Sequence, residues 1–278
     1  MSEALQINLP EILKKNLPNG SKWIPKFIVR KLENYFRIHE LNKIFRDHKE
    51  ERDDKFIGCV LSAMGVNVEV HGLENIPLQG GAILASNHPM GGLDGMCIIQ
   101  EVAKVRPDIK VIVNSILTHV PQLSGIFTGV NKLGRSTKES LARIDAIYAS
   151  GAIIQVFPAG LCSRKINGKI VDLDWQKSFV SKSIENNIPI IPLYVDGSNS
   201  KAFYRMANFR KWLGLKFNLE MMMLPNEMFI QQGKKVQIII GKPIYLDGVK
   251  RNQAQKIANL IKEHVYMLES NAQATFNL

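Results

Sequence analysis

The sequence predicts an α/β fold, in which a mixed, mostly parallel sheet is flanked by helices and preceded by an N-terminal helical arm. Short apolar runs typical of buried strands recur along the chain, and amphipathic segments with helical spacing lie between them. The 278 residues suffice for one large α/β domain with a generous core. No repeat, low-complexity tract or linker divides the chain further.

The first part of the chain, residues 1–64, has the pattern of a basic helical arm. Prolines at 10, 18 and 25 divide it, and residues 26–45 combine apolar and cationic side chains at helical spacing. Such a helix either lies on a membrane surface or packs on the main domain with its lysine stems over apolar groups. Both alternatives stay open for the arm. The remaining residues, 65–278, form the predicted α/β domain.

The elements of the domain follow from local patterns. Alternation at 66–71 and apolar runs at 82–85, 110–114, 151–157, 189–195 and 236–241 predict strands. The two prolines of residues 189–195 suit either an edge strand or positions at a strand end. Helical periodicity predicts helices at 56–64, 96–103, 136–148, 175–186 and 253–268.

Composition limits the classes of partner and compartment. The net charge of +11 favours a polyanionic partner such as nucleic acid, an anionic membrane face or an acidic protein. The three cysteines are far apart and lack C-x-x-C spacing, which argues against a disulfide framework or zinc site and suits a reducing cytoplasm. Neither a signal peptide nor a spanning apolar run is present, so any membrane contact is expected to be peripheral.

A histidine and an aspartate flank a diglycine loop after the strand at 82–85. Asn87 and His88 end that strand, and Asp94 begins the following helix. Ligands of α/β sheets bind at the carboxyl ends of strands, and an imidazole steadied by a carboxylate can act as a general base. The alternative is that Asp94 caps the helix and His88 is a buried structural histidine. Residue pattern alone leaves both open.

Two further loops carry groups suited to anions. The strand at 151–157 ends in a second glycine turn, where Gly160, Ser163, Arg164 and Lys165 offer hydroxyl, guanidinium and ammonium groups. The stretch 129–136 approaches a P-loop, but Arg135 stands where the lysine is required, so we expect no nucleotide site there. Arg135 could still offer a cation to a phosphate at the start of a helix. Solvated basic loops are the alternative for both.

Residues 201–217 interleave five cations with five aromatic side chains and contain no acidic residue. This composition fits either single-stranded nucleic acid or a membrane interface. The methionine-rich residues 219–224 that follow favour lipid, since methionine adapts to varied apolar surfaces.

In this order the motifs resemble those of the glycerol-phosphate and lysophospholipid acyltransferase family (the PlsC-like superfamily). The resemblance covers residues 66–241 and rests on three blocks. His88 with Asp94 resembles the family's His-x4-Asp motif, Phe157-Pro158-Ala159-Gly160 with Ser163-Arg164 resembles Phe-Pro-Glu-Gly-x-x-Ser, and residues 188–193 resemble Val-Pro-Ile-x-Pro-Val. The extra residue between His88 and Asp94 and the alanine at 159 are similar to a bacterial branch of ornithine- and glycine-lipid O-acyltransferases.

The resemblance implies a PlsC-like fold and transfer of a fatty acyl group from a thioester to the hydroxyl of a lysolipid. It implies that His88 and Asp94 are catalytic. It also implies that Asn87, Gly160, Ser163, Arg164, Lys165 and Arg135 bind substrate. Neither metal nor cofactor is expected. The acceptor would be a lyso-aminolipid or resemble lysophosphatidic acid.

The expected partners are acyl carrier protein or acyl-CoA as donor, a lysolipid acceptor and an anionic membrane surface, without nucleic acid. The expected location is the cytoplasm, peripheral on the inner face of the cytoplasmic membrane. The alternative class is a basic module that binds nucleic acid or anionic membranes without catalysis. A hydrolase with the same His/Asp pair is a third option, but no G-x-S-x-G elbow supplies a nucleophile.

Overall fold

The structure is a computed structural model, and it describes residues 5–16, 24–130, 138–215 and 218–277. The strands are β1 (Asn67–His71), β2 (Ala82–Ser86), β3 (Lys110–Asn114), β4 (Phe127–Val130), β5 (Ile153–Val156), β6 (Arg164–Ile166), β7 (Lys169–Val171), β8 (Ile190–Val195) and β9 (Lys235–Ile240). The helices are α1 (Leu9–Asn16), α2 (Lys26–Tyr35), α3 (Ile38–Asp47), α4 (Asp53–Ala63), α5 (Gly92–Val102), α6 (Lys138–Ala149), α7 (Ser178–Asn186), α8 (Lys201–Trp212), α9 (Leu224–Ile230) and α10 (Ala254–Met267). Short 3-10 helices span Leu73–Asn75, Ser115–His119, Pro121–Leu123, Leu219–Met223 and Arg251–Gln253.

Seven strands form one sheet in the order β1-β9-β8-β2-β5-β3-β4. Every neighbouring pair is parallel except β8 and β9, which run antiparallel with Leu193 opposite Ile240. The predicted mixed, mostly parallel sheet flanked by helices is therefore confirmed. Strands β6 and β7 form a separate antiparallel hairpin. Because β2, β5 and β8 are adjacent and parallel, the loops that follow them share one edge of the sheet.

Of the two alternatives for the prolines of residues 189–195, the edge strand is wrong, whereas Pro189 does lie at a strand end, directly before β8. Strand β8 lies inside the sheet, between β9 and β2. Pro192 is tolerated because it faces the end of β9, where its carbonyl accepts the N–H of Gly241 at 2.8 Å. A side chain at Gly241 would place its Cβ 2.9 Å from Pro192 Cγ, so the ring occupies space that only glycine leaves open.

Successive side chains of the central strands pack alternately into two hydrophobic cores, one on each face of the sheet. Leu84 of β2 joins the core made with α4 and α5, whereas Ile83 and Ala85 join the core made with α7 and α10. Strand side chains point to opposite faces in turn, so a run that is apolar throughout requires helices on both sides. All five residues of β2 are buried, as such a run requires.

The N-terminal helices differ in how they meet the domain. In α2, the structure buries none of the residues, whereas Phe56, Ile57, Val60 and Leu61 of α4 are all buried in the core shared with the sheet. The division of the chain at residue 64 stays a prediction, and α4 packs as part of the domain. Among the described residues, no helix is both long enough and apolar enough to cross a bilayer.

Candidate active site

The loops after β2, β5 and β8 meet where the sheet ends. The Asn87 side chain bridges two of these strands: its Oδ1 accepts the Val195 N–H at 2.7 Å, and its Nδ2 donates to the Val195 carbonyl at 2.9 Å. The N–H of Ser163 donates to the His88 carbonyl at 2.8 Å, which joins the two glycine turns. The structure thus brings together the loops that carry His88 and Ser163.

His88 and Asp94 form a direct pair across the diglycine loop. Nδ1 of His88 lies 2.9 Å from Oδ2 of Asp94; the His88 side chain is 16% exposed and the Asp94 side chain is fully buried. The same carboxylate accepts the N–H groups of Met90 and Gly91 at 2.9 Å and 3.0 Å. Asp94 is the third residue of α5 and caps its start, so the capping and orienting roles coexist in one side chain. The predicted helix at 96–103 therefore begins earlier, at Gly92.

The electrostatics of this pair follow from burial. Loss of solvent raises the pKa of the Asp94 carboxyl, and the donated hydrogen bonds of His88, Met90 and Gly91 act in the opposite direction. These donors give the buried carboxylate partners that replace water. An ionised Asp94 fixes the proton of His88 on Nδ1, which leaves Nε2 as the basic nitrogen.

Close packing holds the imidazole and its loop in place. The ring of Phe157 stacks on His88 with centroids 3.9 Å apart, and a Cβ at Gly95 would lie in ordinary van der Waals contact with the same ring, at 3.7 Å. Gly91 has φ +78°, and a Cβ there would lie 3.0 Å from Leu224 and 3.2 Å from the Cys162 sulfur. Only glycine satisfies both the backbone angle and the space.

Asp172, which no sequence pattern indicated, connects several parts of the site through hydrogen bonds. Its Oδ1 accepts the backbone N–H of His88 at 3.2 Å and the Ser163 hydroxyl at 2.6 Å, and its Oδ2 accepts the Trp175 indole N–H at 2.9 Å. Its own N–H donates to the Tyr266 hydroxyl at 2.8 Å. Only its position just after the short hairpin hints at a role, and that hairpin was not predicted.

Arg164 is buried in an ionic network with protein groups. Its Nη2 donates to Glu220 at 2.7 Å, its Nη1 to the Cys162 carbonyl at 2.6 Å, and its guanidinium lies 5.5 Å from the centre of the Phe203 ring. Glu220, fully buried, also accepts Nε of Arg210 at 3.0 Å. The side chains of Asn87, Ser163 and Arg164 are thus engaged within the protein, and their contact with substrate stays a prediction.

The other predicted binding residues are placed differently. Gly160 has φ +67° and closes the turn by donating its N–H to the Phe157 carbonyl at 2.9 Å. Lys165 is exposed on β6. Arg135 lies outside the described residues.

Two cysteines, Cys97 and Cys162, are buried in the domain. Burial raises the pKa of the Cys97 and Cys162 thiols, so neither supplies a reactive thiolate at neutral pH. In the described part of the chain, no group of three His, Cys, Asp or Glu residues is arranged to hold a metal ion.

Comparison with known proteins identifies the family of the chain. The acyltransferase family model matches residues 11–275. The chain is 36% identical over 264 residues to a lyso-glycine lipid O-acyltransferase of Phocaeicola vulgatus, covering 94% of this chain and 95% of that protein. It is 34% identical over 264 residues to the enzyme of the same name from Bacteroides thetaiotaomicron, covering 94% and 97%.

Among solved structures, the chain is similar to the 1-acyl-sn-glycerophosphate acyltransferase PlsC from Thermotoga maritima, with a TM-score of 0.46 and 19% identity over 89% of this chain and 99% of that one. The family match and the two relatives that align over nearly the whole chain show that the protein is an enzyme, and the alternative of a non-catalytic binding module is wrong. The protein belongs to the acyltransferase family.

Proposed function

We propose that the protein is a lysolipid O-acyltransferase that moves a fatty acyl chain from a thioester to a hydroxyl group of its acceptor. The observation that carries the proposal is the His88–Asp94 pair at the carboxyl edge of the sheet. A buried carboxylate bonded to one imidazole nitrogen prepares the other nitrogen to take a proton from a hydroxyl at neutral pH.

In the proposed reaction, Nε2 of His88 takes the acceptor's hydroxyl proton as the oxygen attacks the thioester carbonyl carbon. The tetrahedral intermediate collapses with cleavage of the C–S bond, and the departing sulfur receives the proton from His88. The products are an ester and a thiol, and no acyl-enzyme is required. Asp94 holds the imidazole in the required tautomer and stabilises its charged form, as in hydrolase triads.

The oxyanion of the tetrahedral intermediate requires hydrogen-bond donors. Since the N–H groups of Met90 and Gly91 already donate to Asp94, they are committed to the carboxylate. We assign the stabilisation instead to the first turn of α5 beyond Gly91, where backbone N–H groups and the helix dipole favour negative charge.

We assign the acceptor to the lyso-aminolipid class. The two relatives that match almost the whole chain are both named for lyso-glycine lipid. The buried Glu220 offsets the charge of Arg164, so this arginine is less suited to hold a doubly charged phosphate monoester. Lysophosphatidic acid is the acceptor against which this assignment is tested.

We place the enzyme at the inner face of the cytoplasmic membrane, bound peripherally, with acyl carrier protein as the donor. A net charge of +11 suits both an acidic carrier protein and an anionic lipid surface. Acyl-CoA, which is also polyanionic, is the competing donor, and the salt dependence of turnover with each donor distinguishes surface attraction from active-site contacts.

The test measures ester formation by mass spectrometry with each donor and with lyso-glycine lipid or lysophosphatidic acid as acceptor. Wild-type enzyme should acylate lyso-glycine lipid, and His88→Ala should lower kcat by about 10²–10⁴-fold. His71→Ala is the matched control, because His71 is an exposed histidine on the edge strand β1, which β9 and β8 separate from β2. A folded His88→Ala protein with near wild-type turnover would refute the mechanism, and no ester from any pair would refute the function.

A further inference from the structure

Helix α8 is fixed to the catalytic turn by its inner face. Phe203 and Tyr204 are buried and pack in a small core with Cys162 and Met223. Cys162 precedes Ser163, whose N–H donates to the carbonyl of His88. Helix α8 therefore packs directly against the turn that Ser163 joins to His88.

The outer face of α8 is apolar and aromatic to an unusual degree for a solvent-exposed helix. Exposed fractions are 38% for Met206, 54% for Phe209, 79% for Trp212 and 47% for Leu213. Their spacing of three and four residues places them on one side of the helix, and the rings of Phe209 and Trp212 are 5.9 Å apart. Just beyond the helix, Leu215 is a further 43% exposed.

The charged residues of α8 itself are all basic. Lys201, Arg205 and Lys211 are exposed, and the sequence contains no Asp or Glu from 201 to 219. Two acids contact groups at α8, and both are buried: Glu220 pairs with Arg164 and Arg210, and Glu227 accepts hydrogen bonds from Ser200 at the start of the helix. The face therefore presents aromatic and aliphatic groups flanked by uncompensated cations.

That combination is the one that binds the surface of an anionic bilayer. Trp and Phe are favoured at the boundary between headgroups and acyl chains, while Lys and Arg contact the lipid phosphates. An acidic protein would also be attracted to the cations. However, it would gain little from four exposed apolar side chains in a single row, and exposed patches of this kind mark binding sites.

We propose that the outer face of α8, formed by Met206, Phe209, Trp212 and Leu213 with the flanking cations, inserts shallowly into an anionic membrane. The inference rests on the proposed function only in its choice of a lipid surface, and it adds the element that docks there. Because α8 is packed against the catalytic turn, docking brings the site to the level at which a lysolipid is presented.

The test compares binding of the full-length protein to vesicles of equal parts phosphatidylglycerol and phosphatidylethanolamine by co-sedimentation. Removing two exposed aromatic rings in Phe209→Ser/Trp212→Ser should weaken partitioning by about tenfold or more. The matched control is Leu78→Ser/Tyr245→Ser, since these side chains are 75% and 64% exposed. They lie near the amino ends of β2 and β8, whereas α8 follows the carboxyl end of β8. That control should bind as wild type does.

The contribution of the cations to binding and the depth at which Trp212 inserts are measured separately. Lys201→Glu/Arg205→Glu should weaken binding to the anionic vesicles, and raised salt should shrink the difference from wild type. Brominated lipids should quench wild-type fluorescence more than that of Trp212→Phe. Equal vesicle binding by Phe209→Ser/Trp212→Ser and wild type, or no quenching assigned to Trp212, would overturn the proposal. If Phe209→Ser/Trp212→Ser binds vesicles as wild type does but has a raised KM for acyl carrier protein, the proposal is also overturned, and the face binds the donor instead.

The membrane-binding proposal and the proposed function can fail independently, because vesicle binding requires no turnover. If wild-type enzyme binds through α8 but forms no ester with either donor, the function fails and the surface stands. If it forms ester on micellar acceptor while the α8 variants bind vesicles normally, the surface fails and the function stands.

Discussion

Replacing Asp94 with asparagine removes the negative charge beside His88 and keeps the shape of the side chain. When His88 takes the acceptor's proton it becomes a cation next to Asp94, with Nδ1 and Oδ2 2.9 Å apart. Two unit charges about 4 Å apart attract by about 4 kcal/mol at an effective dielectric constant of about 20. At about 1.4 kcal/mol per tenfold change, losing that attraction should lower kcat by about 10³-fold.

The structure also indicates that Asp94→Asn folds. Oδ2 alone lies within hydrogen-bond distance of His88 Nδ1, Met90 N and Gly91 N, so a single amide oxygen can serve all three donors. The amide nitrogen would replace Oδ1, which lies 3.1 Å from the Met90 nitrogen, at the cost of one hydrogen bond. Since a neutral group also avoids the desolvation that raises the pKa of Asp94, the free energy of unfolding should change by only about 1 kcal/mol.

The assay is steady-state acyl transfer to lyso-glycine lipid, with kcat and KM measured for each variant beside its chemical denaturation curve. Asp108→Asn is the matched control, because Asp108 is a partly exposed carboxylate paired with Arg106. Arg106 also donates to the carbonyls of Gly80 and Gly151, which lie just before β2 and β5, at the opposite end of these strands from His88. Asp108→Asn should retain wild-type kcat. A folded Asp94→Asn enzyme whose kcat lies within about threefold of wild type would show that no charge develops on His88, and the general-base mechanism would be abandoned.

Three further predictions test the supports of the site and of the fold. Asp172→Asn should lower kcat by about tenfold with little change in KM, because Oδ1 of Asp172 positions the backbone N–H of His88; equal kcat values would contradict this. Gly91→Ala should lower the free energy of unfolding by about 1–3 kcal/mol, since φ is +78°, whereas Gly92→Ala, with open space at its Cβ, should fold normally. Burial lowers the pKa of His264 below its ordinary value of 6.5, so wild-type stability should be full above that pH and decline as the pH falls below it; His264→Leu should lose less stability over the same range in denaturation series, and parallel curves would refute this.

The sequence predicted the class of fold because its strands are locally explicit. Apolar runs such as residues 82–85 are too short for helices and are bounded by glycine, so the hydrophobic pattern and the length of the run both predict a strand. The position of a strand within the sheet is a long-range property. Pro192 indicated an edge, and the contact with Gly241 that permits an interior position comes from a residue 49 positions later, by the difference of their numbers. The β6–β7 hairpin was missed because its strands have only three residues each.

The His88–Asp94 pair was accessible from sequence for a similar reason, since both residues belong to one strand-loop-helix unit. The residues that hold this pair and its neighbouring turn in place could not be predicted from the sequence. Asp172 lies 84 positions from His88, and Glu220 lies 56 positions from Arg164, so neither adjacency follows from any local pattern.

The pairing of Arg164 with Glu220 changes what a motif match implies. In sequence, Arg164 is a cation at a glycine turn, and a net charge of +11 encourages its interpretation as an anion site. In the structure, one buried carboxylate is shared by Arg164 and Arg210, which leaves the cluster with one uncompensated charge among three buried or half-buried groups. A mobile anion entering there would have to compete with a fixed carboxylate already at 2.7 Å. Recognition of the acceptor should therefore depend on Glu220 as much as on Arg164, and exchanging Glu220 for glutamine should shift preference towards more highly charged headgroups.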